Sequence, residues 1–157
     1  MITKTEFIAA IGRVHANTYT VVALLRDDHV AWRPRDGEFS VGELTLHIAN
    51  TRLMNVQIVR GETAHYSGHR MAPGETADHL RQTSLRSGKK TIAQLHDADL
   101  EAPIRNLHGV ELPAWRIAMN GLVEHEIHHR SQLSSYLAEL GIEPPALFGI
   151  HVLALPR

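Results

Sequence analysis

The segment from Glu111 to Gly141, ELPAWRIAMNGLVEHEIHHRSQLSSYLAELG, constrains the fold more than any other part of the chain. It predicts a helix with Pro113 in its first turn and Gly141 just past its end, the positions these residues favour. At about 100° per residue, seven of its side chains fall within a stripe of about 80°. They are Ala118, Leu122, His125, His129, Leu133, Tyr136 and Leu140. This stripe must face a core, yet it carries two histidines one turn apart.

His125 and His129 occupy positions i and i+4, so their imidazoles project from the same face of the predicted helix. Two histidines at this spacing can bind one metal ion between them. The alternative is that they are hydrogen-bonded core residues or half-exposed residues at the edge of the core. Because two imidazoles are stacked on one apolar stripe, the pattern favours the metal site.

A third inward histidine is predicted on another helix. Ser40-Val41-Gly42-Glu43 forms a capping box, and Phe39 before it can pack against the first turn as a hydrophobic staple. Helical periodicity places five side chains on one face of the helix that starts there: Leu44, His47, Thr51, Met54 and Ile58. Alone, His47 would be explained by a hydrogen bond to a backbone carbonyl. Together with His125 and His129 it completes a candidate three-histidine metal site.

The whole chain predicts an all-α, four-helix bundle in a single domain over residues 1–157. The helices are expected at about 3–27, 40–60, 76–96 and 113–140, with a C-terminal tail, 142–157, that packs on the domain or on a partner subunit. The segment 62–75 is long for a loop, and such a crossover allows helices two and three to run parallel. His15, His65 and His69 are expected to lie at the core edge or in solvent rather than to bind metal.

Composition limits the classes of partner that are expected. The net charge is −1 and no dense run of Lys or Arg occurs, so neither nucleic acid nor an anionic membrane surface is an expected partner. No apolar run approaches ~18 residues and the N-terminus lacks an apolar signal segment, so a cytoplasmic protein is expected. The chain contains no cysteine, which excludes a thiolate nucleophile or thiolate ligand of its own.

Three neutral imidazoles leave open positions on a metal ion, as in catalytic rather than structural sites. Zinc, nickel and ferrous iron all suit such ligands. Glu126 lies about 60–100° around the helix from the two histidines. It is a candidate for bonding a ligand imidazole or a metal-bound water, and a packing or salt-bridge role is the alternative.

The residues His125-Glu126-Ile127-His128-His129 also spell the H-E-x-x-H motif of zinc peptidases. In those enzymes the glutamate is the general base and a third ligand follows downstream. Glu139 and Glu143 are poorly placed for that ligand, and no β-rich lobe is predicted. A Ser-His-Asp triad is also set aside, because the chain has no nucleophile elbow.

The sequences FSVGELTLHIA and HEIHHRSQLSSYLAELGIEPP resemble the DinB/YfiT-like superfamily of metal-binding four-helix bundles, over residues 5–148. The resemblance implies an up-down-down-up bundle, commonly a homodimer, with a divalent metal held by His47, His125 and His129. It also implies kinship with enzymes that use low-molecular-weight thiols, such as mycothiol- or bacillithiol-dependent S-transferases and maleylpyruvate isomerase. Family members often have Gly where this chain has Ser131 and Trp where it has Phe39.

Two functional hypotheses follow. The first is a metal-dependent enzyme that activates a thiol or a water for attack on a small electrophile, either S-transferase-like or hydrolase-like. The second is a non-catalytic stress-response protein in which the metal braces the bundle. Turnover predicts a pocket that reaches the metal, whereas bracing predicts a sealed site. The substrate is not specified by the sequence.

Overall fold

The computed structural model describes residues 2–147 and shows an all-α, four-helix bundle, as the sequence predicts. Its helices are α1 (Lys4–Val22), α2 (Val41–Val59), α3 (Ala77–His96), α4 (Ala114–Ala118) and α5 (His125–Glu139). A π-helical segment, Met119–Glu124, joins α4 to α5, and these three pieces form the fourth rod. A short 3-10 turn, Asp27–His29, precedes α2. The hairpin of β1 (Pro103–Arg105) and β2 (Glu111–Pro113) leads into the fourth rod.

Helices α2 and α3 run parallel, as the long crossover allows and the family resemblance implies. Arg52 in the middle of α2 bonds Ser84 in the middle of α3, and Arg60 at the end of α2 bonds Gln94 near the end of α3. The chain returns along the bundle between the two helices through the crossover segment, residues 62–76.

Helix α1 and the fourth rod run antiparallel to α2 and α3. Lys4 at the start of α1 donates to the carbonyl of His96 at the end of α3, at 2.7 Å. Asn55, late in α2, donates to the carbonyl of Gly121, early in the fourth rod, at 3.3 Å. The topology is therefore up-down-down-up. None of the helices within residues 2–147 is long and apolar enough to cross a membrane.

The helix starts follow the predicted capping chemistry, but two details differ from the sequence prediction. Thr3 and Ser40 each form the expected capping box with the glutamate three residues later. However, α1 ends at Val22 rather than near residue 27, because the chain turns there to bury Leu25 against the end of the core. The fourth rod is also not a uniform α-helix, since the π-helical segment widens it before His125.

The C-terminal tail falls only partly within the described residues. Ile142 and Leu147 pack against one of the core clusters, which agrees with the expected packing on the domain. Residues 148–157 lie outside the described residues, so the remainder of that prediction is untested.

The apolar core is divided into two clusters. One lies towards the start of α1 and includes Ile8, Ile11, Val56, Leu95 and Leu122. The other lies towards the opposite end of the bundle and includes Val21, Leu44, Leu80, Leu133 and Leu137. Polar and charged side chains occupy the level between them.

A buried ion pair forms the centre of this polar layer. Arg52 and Glu126 are only 2% and 1% exposed. The guanidinium donates to both carboxylate oxygens, at 2.8 and 2.6 Å, and Nη1 donates to the carbonyl of Ser84 at 2.8 Å. Buried charges are tolerated only when paired and hydrogen-bonded, and here both conditions are met.

His15 was expected at the core edge or in solvent, but it is only 5% exposed and packs against this pair, which the spacing of α1 alone does not show. Its burial is expected to make stability sensitive to acid. Its Nε2 lies 3.3 Å from Glu126 Oε2. Burial lowers the pKa of His15 from 6.5 to about 4; the charge of Glu126 opposes this shift and that of Arg52 adds to it. Because the folded-state pKa lies below the unfolded one, the stabilisation is complete above pH ~6.5 and is lost as the pH falls towards 4.

We expect the free energy of unfolding to fall by about 2 kcal/mol between pH 7 and pH 4.5 through His15 alone. Urea unfolding at both pH values, in the presence of a chelator, would measure the free energy of unfolding of the wild type and of His15→Asn. The variant should lose about 2 kcal/mol less than the wild type. An equal loss in both proteins would contradict the assignment of this acid sensitivity to His15.

Candidate metal centre

Helix α2 and the fourth rod together place three histidines next to one another. The capping box at Ser40 starts α2 and fixes the face on which His47 lies, while His125 and His129 lie one turn apart on α5. The Nε2 atom of His47 is 3.3 Å from that of His125 and 3.1 Å from that of His129. All three predicted ligands are half-buried and converge in the bundle.

The arrangement fits a divalent metal ion. With metal–nitrogen bonds of about 2.05 Å, tetrahedral ligation separates neighbouring nitrogens by about 3.3 Å, and octahedral ligation by about 2.9 Å. The observed separation of 3.3 Å matches the tetrahedral value, and that of 3.1 Å lies between the two values. One ligand atom from each histidine lies within 4.8 Å of the others, so the group could hold one ion.

The other ring nitrogen of His129 has a partner that fixes its tautomer. His129 Nδ1 lies 3.0 Å from the side-chain oxygen of Gln132, and the amide of Gln132 donates to Tyr136 at 2.9 Å. Because an amide oxygen only accepts, Nδ1 of His129 carries the proton and its Nε2 presents a lone pair to the centre. Gln132 therefore orients a candidate ligand, a role that its spacing alone did not reveal.

The imidazoles are held in their neutral form at neutral pH. Burial, followed by the neighbouring histidines, lowers the pKa of His47 from 6.5 to about 4. Burial, and to a smaller extent the neighbouring His129 and His128, lowers the pKa of His125 from 6.5 to about 4. Neutral imidazole is the form that binds metal, so the centre does not need to lose protons before binding.

The crossover segment and the residue before the α2 cap cover the centre on the His47 side. Phe39 stacks on His47, with ring centroids 5.1 Å apart and planes at 23°. Tyr66 Oη lies 2.8 Å from His47 Nδ1. His69, which the sequence places in a solvated loop, lies half-buried with its ring 4.7 Å from that of Phe39. His65 is exposed, as expected.

Glu126 faces the polar layer and not solvent. Both of its carboxylate oxygens are bonded to Arg52, which corresponds to the salt-bridge alternative. The charge of Arg52 lowers the pKa of Glu126 against the opposing effect of burial, so the group is an ionised, paired carboxylate. This pairing also disfavours the zinc-peptidase interpretation, which needs a free glutamate as general base. Ser131 is exposed and does not face the three histidines.

A cavity of about 290 Å³ lies beside His125. Met54, Ile58, Leu112 and Ile117 contribute apolar surface to it, and Asn55, Asn106, Asn120 and His108 contribute polar groups. The π-helical segment forms one wall at Gly121, where a Cβ would lie 2.3 Å from Asn55 Oδ1. Glycine at this position therefore lets the fourth rod approach α2 next to a candidate ligand.

The fold and the three converging histidines define the class: a four-helix bundle with a candidate metal centre in its interior. The family model described as DinB superfamily matches residues 10–133, and the chain belongs to this superfamily. An uncharacterized protein from Bacillus subtilis, YjoA, is 26% identical over 133 residues, which cover 81% of this chain and 84% of YjoA.

Solved structures agree on the fold. A DinB-like protein from Bacillus cereus superposes with a TM-score of 0.78 at 16% identity, covering 94% of this chain and 97% of its own. The crystal structure of B. subtilis YjoA gives 0.73 at 22% identity, with 90% and 97% covered. A putative DinB family member from Exiguobacterium sibiricum gives 0.67 at 23% identity, with 94% and 96% covered. At these identities the likeness shows a common fold only.

Proposed function

We propose that this chain is a metal-dependent enzyme that uses a low-molecular-weight thiol or a water molecule as the nucleophile against a small electrophile. Its ligands would be His47, His125 and His129, and zinc, nickel or iron fits this donor set. When bound, such an ion lowers the pKa of a water or thiol and so supplies a nucleophile at neutral pH. Because the chain has no cysteine, any thiol would come from solution.

The cavity beside His125 is the observation that carries this proposal. A volume of about 290 Å³ suits a small molecule, and it opens next to one of the three candidate ligands. The side chains of Asn55 and Asn120 line it and can donate or accept hydrogen bonds to orient a substrate. A metal that only braced the bundle would need no such space, so the cavity favours turnover over the bracing hypothesis.

Elemental analysis of protein purified without chelator, followed by activity screens with the matching metal, tests the proposal. We expect one of zinc, nickel or iron at about one ion per chain. The screens would offer mycothiol, bacillithiol or water as nucleophile against small electrophiles. Metal without turnover under any condition would favour the bracing role instead.

The homodimer implied by the family resemblance stays a prediction, and light scattering after size exclusion would test it.

Removing the metal is expected to lower the melting temperature. A ligand that binds only the folded state at about 100 times its Kd stabilises by about 2.7 kcal/mol. For a domain of 157 residues that corresponds to roughly 5–11 °C. Calorimetry before and after dialysis against EDTA, and again after metal is restored, would measure the shift. Identical melting temperatures in all three samples would contradict a metal bound in the folded core.

A further inference from the structure

The crossover segment supplies a hydroxyl group that bridges two histidines. Tyr66 Oη lies 2.8 Å from Nδ1 of His47 and 3.0 Å from Nδ1 of His69. The contact to His47 is made on the ring nitrogen that faces away from the other two histidines, since Nε2 of His47 points to them. The hydroxyl therefore contacts a candidate metal ligand from outside the ligand set.

The protons available on the three groups determine which of them donates in each hydrogen bond. A phenol has one proton to donate and can also accept, while each neutral imidazole carries one proton on one of its two nitrogens. If Nε2 of His47 is to offer a lone pair to a metal, Nδ1 must carry the proton and donate it to Tyr66 Oη. The hydroxyl proton of Tyr66 is then donated to Nδ1 of His69, whose own proton lies on Nε2.

The structure holds Tyr66 where this bridge requires it. Asn50, on the turn of α2 after His47, donates to the carbonyl of Gly68 at 2.6 Å and fixes the crossover segment against the helix. Gly68 has a positive φ of 82°, which glycine adopts without strain, and this turn returns the chain so that His69 packs on Phe39. Phe39 in turn stacks on His47, so the two sides of the bridge share one aromatic support.

We propose that Tyr66 is a positioning residue of the metal centre: its hydroxyl holds His47 in the tautomer and ring orientation that present Nε2 to the ion. This inference rests on the proposed function, because it assumes that the three histidines bind metal. Hydrogen bonds of this kind to a ligand imidazole typically change metal affinity by 10–100-fold. In this arrangement His69 anchors Tyr66 and stays outside the ligand set.

Tyr66→Phe tests the role of the hydroxyl while it keeps the aromatic ring. We expect the Kd for zinc, measured by competition with a chromophoric chelator, to rise at least about tenfold. Tyr19→Phe is the matched control, because it removes a hydroxyl on α1 that makes no hydrogen bond within residues 2–147, and its Kd should be unchanged. The visible spectrum of the cobalt-substituted protein should show the ligand environment change in Tyr66→Phe only.

Two further measurements test the direction of the bridge. Long-range ¹H–¹⁵N spectra of the metal-free protein should show His47 protonated at Nδ1, and this signature should weaken in Tyr66→Phe. His69→Ala should keep the metal stoichiometry and lose less affinity than Tyr66→Phe, because Tyr66 Oη can still accept from His47.

The outcomes separate this inference from the proposed function. If the wild type binds no zinc, nickel or iron, the proposed function fails first. If the wild type binds zinc and Tyr66→Phe binds it with the same Kd and the same cobalt spectrum, the positioning role of Tyr66 is wrong and the three-histidine centre stands. If His69→Ala loses the metal altogether, His69 is a ligand and the bridge has been assigned wrongly. The melting temperature of each metal-free variant should match that of the wild type, which excludes a general folding defect.

Discussion

Replacing Arg52 with methionine is expected to destabilise the bundle by about 3–5 kcal/mol, because it leaves the Glu126 carboxylate buried without its partner. Both members of the pair are almost fully inaccessible, and Arg52 supplies both of the hydrogen bonds that bring them together. Burial of an unpaired carboxylate raises its free energy steeply, so the variant either neutralises the group or unfolds at lower denaturant concentration. Urea unfolding at pH 7 would measure the change.

Two control variants show whether the cost comes from burial of a charge. The double variant Arg52→Met with Glu126→Met removes both charges and should recover most of the lost stability. Arg33→Met removes the partner of Glu43 in an ion pair at the surface, where the arginine is 39% exposed, and should cost no more than about 1 kcal/mol. If Arg52→Met were as mild as Arg33→Met, the buried pair would not be the stabilising centre of the polar layer.

Replacing His129 with alanine is expected to abolish metal binding with little effect on the fold of the metal-free protein. The imidazole is one of only three candidate ligands within residues 2–147, and its Nε2 lies 3.1 Å from that of His47. We expect the metal content to fall from about one ion per chain to nearly none, and the Kd for zinc to rise by more than the roughly 10–100-fold typical of losing a hydrogen bond to a ligand. Elemental analysis and zinc competition would measure both quantities.

His128→Ala is the matched control for His129→Ala. His128 is adjacent in sequence and its ring lies 4.8 Å from that of His129, but it is exposed and not among the converging three. It should keep the wild-type metal content. If His129→Ala kept its metal as well, the assignment of the site would be wrong, whatever the activity of the protein.

Local patterns were enough to predict the bundle and the residues that converge in it. The capping boxes at Thr3 and Ser40 marked two helix starts, and helical periodicity placed His47, His125 and His129 on inward faces. Such features act within one or two turns, so the sequence displays them directly. The long segment before α3 allowed α2 and α3 to run parallel, and the family resemblance implied the up-down-down-up topology.

The features that escaped prediction depend on contacts between distant segments. The spacing in EHEIHHR could not reveal that Glu126 pairs with Arg52, because that requires the registration of α2 against the fourth rod. Tyr66 and His69 lie in a segment without periodicity, so nothing local showed that they reach His47. The π-helical segment also has no sequence signature of its own in MNGLVE, although Gly121 marks the place where α2 comes close.

The position of the candidate ligands along the chain sets when the site can form during synthesis. His47 and His129 are 82 residues apart, and Arg52 and Glu126 are 74 apart. A nascent chain that has exposed only its first three helices therefore presents a single histidine of the set and an arginine without its carboxylate. All three histidines are present only once His129, the fifth residue of α5, has emerged from the ribosome, so the candidate centre can form only after the first three helices have been synthesised.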